Sequence, residues 1–243
     1  MKASNRRFLL TRPQPANSAD TQQLRANGVQ AWGTPLLDFK GCLPFQGVAL
    51  ANYFRSFDTI IALSPRSSLF CQPEFWPDCH YVAMGDSSAQ HWRQLGLDVT
   101  CPEQATSEGM LAYFQVQPNI GSQQLLILRG QISRNWLPTQ LQAITQSVTE
   151  LCSYQQMLQP ISAEQFAMWQ IQGINVIVCS SATQVTHLIH TAKQHQAQSW
   201  LASCSLAVPS ARVAQLIDFP FHHVYNCRGA NCDALLATLE SIV

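Results

Sequence analysis

The chain has 243 residues, with 14 lysines and arginines balanced by 14 aspartates and glutamates. A neutral chain lacks the electrostatic footprint that binds nucleic acid or an anionic membrane surface. Charged residues make up only 12% of the chain, whereas the 47% hydrophobic content is ordinary for a globular protein. This length allows one large domain or two domains of modest size, each with its own core.

Nine cysteines are spread along the chain without a CxxC pair or a zinc-ribbon spacing. An odd number of cysteines without a secretory signal indicates reduced, buried thiols in the cytosol. Before Thr11 the N-terminal segment has only a three-residue apolar run, which is too short for a signal peptide. No later run is long enough for a membrane span. We therefore expect a soluble, cytoplasmic protein.

A short apolar run, a small polar turn and a stretch with helical spacing recur along the chain. This pattern predicts parallel β/α units, whose strands are apolar throughout because helices cover both faces of the sheet. His222 and His223 are predicted to begin a further strand. The apolar runs are residues 8–10, 59–63, 81–84, 125–128, 176–179 and 206–208, and the turns after them are 11–13, 64–67, 85–88, 129–130, 180–181 and 209–210.

Two extended segments, residues 34–45 and 148–160, interrupt this pattern. Both are bounded by proline, and neither is predicted to lead into a helix. Such paired segments are typical of connectors between two α/β lobes. We predict a discontinuous first lobe of residues 1–36 plus 159–243 and a second lobe of residues 37–158. Because ligands of open α/β sheets bind outside the carboxyl ends of the strands, we expect the site in a cleft between the lobes.

The strand-to-helix turns share small hydroxyl residues, a few glycines and scattered arginines. Free backbone amides at helix N-termini bind anions, and a Ser or Thr adds a hydroxyl donor. Arginine supplies 11 of the 14 cations and grips carboxylates or phosphates in a bidentate manner. The repetition predicts a small polyanionic ligand, although each turn alone fits ordinary helix capping. The arginines at or just past these turns are Arg12, Arg66, Arg129, Arg134 and Arg212.

Two other constellations give weaker signals than Tyr154. The segment Gly85-Asp86-Ser87-Ser88 resembles the GDS motif of some esterases, but no His–Asp partnership is visible downstream, and capping explains it better. His187, His190 and His195 fall on one predicted helix, yet no Cys or carboxylate has a spacing suited to a metal site. Tyr154 lies in the second extended connector. Its phenol is either a packing group or a proton donor beside the expected cleft.

In their order along the chain, these pieces resemble the uroporphyrinogen-III synthase family. The resemblance covers nearly the whole chain, and it rests on the ordered set because each piece alone is weakly specific. AMGDSSA stands where the family has Gly-x-x-Thr-Ala. The matching pieces are LLTRP (9–13), LRANGVQAWGTPLLDF (24–39), IIALS (60–64), AMGDSSA (83–89), SEGML (107–111), LILRG (126–130), CSYQ (152–155), VIVCSSA (176–182), AVPSARVAQL (207–216) and CDALLATL (232–239).

The resemblance implies two α/β lobes joined by a two-stranded β-ladder. It implies a lyase that cyclises and dehydrates the linear tetrapyrrole hydroxymethylbilane to uroporphyrinogen III, inverting ring D through an azafulvene and a spiro intermediate. It implies that no metal or organic cofactor is needed. We expect a monomer, because the sequence shows no exposed surface that requires a dimer. A transient handover of the substrate from hydroxymethylbilane synthase is a further expectation. The alternatives are a non-catalytic two-lobed protein that binds an anionic metabolite or tetrapyrrole, and a hydrolase using Ser87 or Ser88.

The resemblance also implies roles for particular residues. Tyr154 matches the tyrosine proposed to assist loss of the hydroxyl group, and Ser88 keeps the hydroxyl of a family threonine. Two departures concern the second lobe: Gln131-Ile132-Ser133 replaces a Gly-rich stretch, and AITQSVTE (143–150) lacks the usual glycine. The expected substrate-binding residues are Arg12, Ser64, Gly85, Ser88, Arg129, Gly130, Arg134, Ser180, Ser181 and Ser210.

Overall fold

The computed structural model describes residues 6–229 and 231–240, apart from the side chains of residues 239 and 240. Within that part of the chain, no helix is long and apolar enough to cross a membrane. The described residues fall into two compact units. Unit 1 contains the residues up to Asp38 and those from Met157 onward, and unit 2 is Phe39–Gln156.

Strands and helices alternate along most of the described chain. The strands are β1 (Arg7–Leu10), β2 (Gln30–Gly33), β3 (Leu37–Gly41), β4 (Thr59–Ala62), β5 (His80–Ala83), β6 (Val99–Thr100), β7 (Gln124–Gly130), β8 (Ser147–Leu158), β9 (Val176–Val178), β10 (Ser205–Val208) and β11 (His223–Asn226). The helices are α1 (Ala16–Ala26), α2 (Gly47–Phe54), α3 (Pro65–Leu69), α4 (Asp86–Gln94), α5 (Ser107–Gln115), α6 (Trp136–Gln142), α7 (Ala163–Ile171), α8 (Ala182–Gln194), α9 (Gln198–Ser203), α10 (Ala211–Gln215) and α11 (Cys232–Glu240).

The described part of unit 1 is built on a five-stranded parallel sheet in the order β11-β10-β9-β1-β2. Alternate strand residues enter two separate cores, as expected when helices cover both faces. Leu9 and Ile177 pack with residues of α7, α8, α9 and α10, whereas Phe8 and Leu10 pack with residues of α1 and α11. Both faces of the sheet are therefore buried.

Unit 2 contains a six-stranded sheet in the order β3-β8-β7-β4-β5-β6. The strands from β8 to β6 pair in parallel. Ile60 and Leu126 join residues of α2 and α4 in one core, and Ile61 and Ile127 join residues of α5 and α6 in the other. The same two-faced burial explains why β4 reads as a continuous apolar run.

Strand β3 lies beside β8 at the edge of the unit 2 sheet. Backbone bonds join Cys42 N to Ser153 O at 3.1 Å and Gln159 N to Leu36 O at 3.1 Å. From the first bond to the second, the residue number falls from 42 to 36 in one segment and rises from 153 to 159 in the other, so the two segments run antiparallel. The first part of β8 pairs in parallel with β7 on its other side, so β8 belongs to both ladders.

Two expectations about local structure are wrong. Arg129 and Gly130 form the end of β7 instead of a turn, because their backbones continue the ladder with β8. Helices do follow both extended segments. Helix α2 begins at Gly47, and Ser162 caps α7 through a reciprocal pair of hydrogen bonds with Gln165. The strand predicted from His222 and His223 is confirmed as β11, which begins at His223.

Candidate functional site

The predicted site residues collect at the carboxyl ends of parallel strands. Strands that run in parallel end at the same edge of their sheet, so the residues that follow them become neighbours. We call the ends of β1, β9 and β10 the unit 1 edge and the ends of β4, β5 and β7 the unit 2 edge. The unit 1 edge carries Arg12, Ser180, Ser181 and Ser210, and the unit 2 edge carries Ser64, Gly85, Ser88, Arg129, Gly130 and, opposite Gly130, Tyr154.

Tyr154 lies among aromatic rings at the unit 2 edge. Its ring stacks on Phe70 with centroids 5.9 Å apart and meets Phe39 edge-on at 5.6 Å. The guanidinium of Arg66 lies 3.7 Å from the centroid of the Phe39 ring. Rings on two sides restrict the orientation of the tyrosine, while its hydroxyl remains available for polar contacts.

The phenol of Tyr154 belongs to a chain of three hydroxyl groups. Its oxygen is 3.0 Å from Ser64 Oγ, which is itself 3.0 Å from Ser67 Oγ. The backbone amide of Ser64 donates to Ser67 Oγ at 3.2 Å, and Ser67 is fully buried. Since a hydroxyl both donates and accepts, this chain fixes the phenol oxygen while leaving it able to give up its own proton.

Gly130 gives the phenol its space. A register shift between β7 and β8 leaves Ser153 out of the pairing and sets Tyr154 opposite Gly130. A Cβ at Gly130 would lie 2.6 Å from Cζ of Tyr154 and 2.8 Å from its hydroxyl oxygen. These distances are too short for a side chain, so only glycine lets the phenol lie against the end of β7.

Arg129 is paired inside unit 2. Its Nε lies 2.9 Å from Glu150 Oε2, and its Nη1 donates to Asn135 Oδ1 at 3.5 Å. The side chains of Arg129 and Glu150 are 22% and 27% exposed, so the guanidinium is held in place but still reachable. Arg134 lies apart from this pair, in the exposed loop between β7 and α6.

Gly85 and Ser88 form the start of α4. The Ser88 amide donates to Gly85 O at 2.9 Å, and Ser88 is buried. A Cβ at Gly85 would lie 2.9 Å from the Cβ of Ala105, so glycine allows a close approach of the next loop. Gly85 is the N-cap residue of α4, and Asp86, Ser87 and Ser88 form its first turn, in agreement with the capping interpretation of this segment.

The unit 1 edge is organised by a buried glutamine. Gln184 Oε1 accepts from the Ser180 amide at 2.7 Å and from Ser180 Oγ at 3.0 Å. Its Nε2 donates to Thr11 O at 2.8 Å. One side chain therefore joins the turns after β9 and β1 and fixes the direction of their backbones.

Ser181 and Ser210 cap the helices that follow them. Ser181 Oγ accepts from Gln184 N at 3.4 Å, and Ser210 Oγ accepts from Val213 N at 3.3 Å. These are N-cap bonds, so the hydroxyls serve α8 and α10. Since the Ser180 amide already donates to Gln184 Oε1, the other backbone amides of these turns are the groups left to consider for ligand binding.

Arg12 is also held by an internal carboxylate. Its Nη1 lies 2.5 Å from Oδ2 of Asp20, whose side chain is 12% exposed. Arg212, by contrast, lies on the exposed side of the short helix α10. The unit 1 edge thus presents a fixed, charge-balanced guanidinium.

The histidines of α8 have separate surroundings. His187 Nε2 is 2.7 Å from Gln159 O, a contact that ties α8 to the chain leaving β8. His190 is exposed on α8, and His195 ends that helix. No group of three or more His, Cys, Asp or Glu in the described segments is arranged to hold a metal ion.

Sequence reasoning missed several residues of these edges. The roles of Ser67 and Gln184 could have been predicted from the sequence, because each stands three residues after the N-cap serine of its helix, at the usual position for a capping partner. Glu150 and Phe70 carry no such signal. Their contacts arise from strand and helix packing across long stretches of chain.

The fold and the two edges together define a class of protein. The chain is an α/β protein with two sheets of mainly parallel strands, each ending in amide-rich turns with an arginine, and one sheet also presents a positioned phenol. Residues 18–237 match the family model of uroporphyrinogen-III synthase HemD. The chain therefore belongs to the uroporphyrinogen-III synthase family, as the sequence resemblance indicates.

Curated relatives agree with this assignment. The chain is 31% identical to uroporphyrinogen-III synthase of Salmonella typhimurium and 29% identical to that of Escherichia coli K12, in each case over 96% of this chain and 99% of the relative. The match therefore extends over both units.

Solved structures agree as well. Uroporphyrinogen-III synthetase of Helicobacter pylori superposes with a TM-score of 0.62 at 12% identity, covering 98% of this chain and 100% of that one. A mutant uroporphyrinogen III synthase of Thermus thermophilus gives 0.55 at 14% identity, covering 98% of both chains. These structures confirm the predicted fold class.

Proposed function

We propose that this protein cyclises hydroxymethylbilane to uroporphyrinogen III with inversion of ring D. The chain belongs to an enzyme family whose general reaction class is that of a cyclising lyase. The observation that carries the proposal for this chain is the phenol of Tyr154, held by Ser64 against Gly130 at the carboxyl edge of a parallel sheet. Such edges are where α/β proteins bind their ligands.

The first chemical step is loss of the ring-A hydroxyl group, which is a poor leaving group unless it is protonated. Tyr154 is the proposed proton donor, so that water leaves and the azafulvene forms in its N-protonated, cationic state; the proton released when the ring finally closes restores the phenol. The Ser64 hydroxyl then donates to the phenolate oxygen, and Ser67 donates in turn to Ser64. This chain of hydrogen bonds stabilises the negative charge that develops on Tyr154.

The second step determines the isomer. Ring D attacks the azafulvene through its substituted carbon to give a spiro intermediate, which fragments and recloses with ring D reversed. Without an enzyme the chain closes head to tail and gives the type I isomer. Catalysis is therefore largely positioning, because the folded substrate must present the substituted carbon first.

The substrate is a polycarboxylate, so its binding needs many dispersed donors. Arg129 is the proposed cationic contact at the unit 2 edge, where Glu150 fixes its guanidinium and leaves other N–H groups for a carboxylate. Arg12, Arg134 and the amides of the turns are proposed to bind further carboxylates. The turn and strand-end positions that complete the set are Gly85, Ser88 and Gly130 in unit 2, and Ser180, Ser181 and Ser210 in unit 1.

The reaction consists of proton transfers and changes in carbon–oxygen and carbon–carbon bonds, so the proposal includes no cofactor. We place it in the cytoplasm, where the nine cysteines, all free thiols, would stay reduced. We propose that the protein acts as a monomer, and that hydroxymethylbilane synthase supplies the substrate by a transient handover.

Product isomer analysis tests this function. Freshly generated hydroxymethylbilane is incubated with and without the protein, the products are oxidised to porphyrins, and isomers I and III are separated by chromatography. The proposal expects predominantly type III with the protein. Type I alone, formed at the spontaneous rate, would contradict it. Binding of the bilane without type III formation would favour the non-catalytic binding protein.

A further inference from the structure

We propose that Cys42 and Cys152 are a modification site at which a peroxide forms an intramolecular disulfide. The effect that we expect on turnover rests on the proposed function, whereas formation of the bond does not. The inference starts from geometry. The two Sγ atoms lie 3.1 Å apart, with both cysteines reduced and partly exposed.

A second contact holds the two cysteines together, since Cys42 Sγ also donates to Cys152 O at 3.2 Å. Cys42 follows β3 directly, and its amide donates to Ser153 O at 3.1 Å, so the two cysteines lie on neighbouring antiparallel segments. A disulfide bond is about 2.05 Å long, and closing it from the observed separation requires an approach of about 1 Å. Side-chain rotation with a small strand adjustment can supply that movement.

The other cysteines lack this combination of closeness and access. Cys79 and Cys101 are partly exposed, but their polar contacts in the described structure are with Tyr81 and Arg93, not with a thiol. The cysteines that are buried are Cys71, Cys179, Cys204, Cys227 and Cys232. Among these, Cys71 interacts electrostatically with Cys42, but its Sγ donates to Ser67 O at 3.2 Å inside the core. Cys152 is therefore the partner within reach of Cys42.

The chemistry balances with hydrogen peroxide as the named oxidant. One thiolate attacks a peroxide oxygen and becomes a sulfenic acid, releasing hydroxide, which takes up the proton that the thiol lost. The second thiol then attacks the sulfenic sulfur, forming the disulfide and releasing water. In total, two thiols and one peroxide give one disulfide and two waters. A dithiol reductant reverses the change.

At neutral pH Cys42 is held in its protonated thiol form. Burial, the hydrogen bond with Cys152 and the charge of Cys152 raise the pKa of Cys42 to about 11. Since the thiolate is the reactive form, Cys42 reacts slowly until the solution becomes alkaline. Oxidation should therefore be followed at neutral and at mildly alkaline pH.

A bond at this place would act on Tyr154. Cys152 Sγ lies 3.4 Å from Tyr154 O, and Tyr154 owes its position opposite Gly130 to the register shift at Ser153. Drawing Cys152 toward Cys42 would disturb this irregular part of β8. A displacement of about 1 Å at a reacting group can cost two orders of magnitude, so we expect turnover to fall about tenfold or more.

The direct test is peptide mapping of the full chain after peroxide treatment, without reduction. We expect a linked pair of peptides containing Cys42 and Cys152, and an intact mass lower by two hydrogens. The variants Cys42→Ser and Cys152→Ser should lose the linked pair. Cys101→Ser is the matched control, since it removes a partly exposed thiol whose polar contact is Arg93, and should keep the pair.

Absence of the linked peptides, or linkage of Cys42 to Cys71, would overturn the proposal. Turnover is measured on the same samples before oxidation, after oxidation and after reduction. Loss that dithiol treatment restores, and that is missing in Cys42→Ser, is the expected result. Equal loss in Cys42→Ser would overturn the link to Tyr154. If the reduced protein makes no type III product, the proposed function fails while the mapping result still stands.

Discussion

The two carboxyl edges use the same residue types in different ways. In unit 1, Ser181 and Ser210 use their hydroxyls to cap helix N-termini, and Gln184 ties the turns together. In unit 2, Ser64 shares its hydroxyl with Ser67 and with the phenol of Tyr154. The first arrangement holds backbone amides in place, whereas the second positions the hydroxyl proton of a tyrosine.

This difference separates binding from chemistry in the proposed reaction. Capped helices provide fixed amide donors, which suit the carboxylates of a substrate that must be folded. A hydroxyl chain that ends on a phenol suits protonation of a leaving group. Variants at the unit 2 phenol should therefore change turnover, while variants of the unit 1 hydroxyls should change stability.

The largest effect is expected for Tyr154→Phe, which keeps both ring contacts and removes the proton donor. Turnover should fall about 10²-fold, with a smaller change in KM. Steady-state kinetics of type III formation measures both constants. Tyr113→Phe is the control, because the Tyr113 hydroxyl lies near His80, where β5 begins. Unchanged turnover in Tyr154→Phe would remove the phenol from the mechanism.

Gly130→Ala tests the space that the phenol occupies. The new Cβ would meet the ring of Tyr154, so the phenol must move, and we expect turnover to fall about tenfold or more while the sheet is retained. Kinetics and thermal unfolding are measured together. Gly121→Ala has nothing within 4 Å of its added Cβ and should leave both unchanged. Wild-type turnover in Gly130→Ala would show that the contact does not position Tyr154.

Arg129→Ala tests whether, within unit 2, substrate binding by a cationic side chain is separate from proton donation by Tyr154. KM should rise about tenfold and turnover should change less, because a charge-assisted hydrogen bond contributes about 1.5 to 3 kcal/mol. The same change in a Glu150→Gln background shows whether the Glu150 carboxylate, left unpaired in Arg129→Ala, contributes to the rise in KM. Arg55→Ala, whose guanidinium lies over the Phe75 ring, is the control. A larger fall in turnover than rise in KM would contradict a binding role.

The smallest effect is expected at the unit 1 edge. Ser210→Ala removes the N-cap of α10, so the free energy of unfolding should fall by about 1 kcal/mol in a denaturant titration. Turnover and KM should stay near those of the wild type, since the proposed donor is the backbone amide. If activity falls while stability is unchanged, the Ser210 hydroxyl itself would be the substrate contact.

Much of the fold could be predicted from the sequence, because strands buried on both faces leave continuous apolar runs such as residues 59–63. The extension of β7 to Arg129 and Gly130 could not, since the backbone pairs there without apolar side chains. The start of α7 could have been predicted from the sequence, because Ser162 and Gln165 have the spacing of a capping box.

The site was less predictable than the fold. Tyr154 could be singled out from its place in the second connector, and Ser64 and Gly130 from the predicted turns, with roles added by the family resemblance. Their mutual contact depends on a register shift at Ser153 that no local pattern reveals. The pairing of Arg129 with Glu150 likewise depends on the register of β7 and β8, which sets Glu150 opposite Ile127.

A double-mutant cycle on Ser64 and Tyr154 tests the central claim most directly. Turnover is measured for Ser64→Ala, Tyr154→Phe and the double variant. If Ser64 acts by positioning the phenol, the double variant should be no slower than Tyr154→Phe alone, because residues that act as one unit are not additive. If the two losses multiply instead, Ser64 does not work through Tyr154, and the hydroxyl chain is not the catalytic device of this protein.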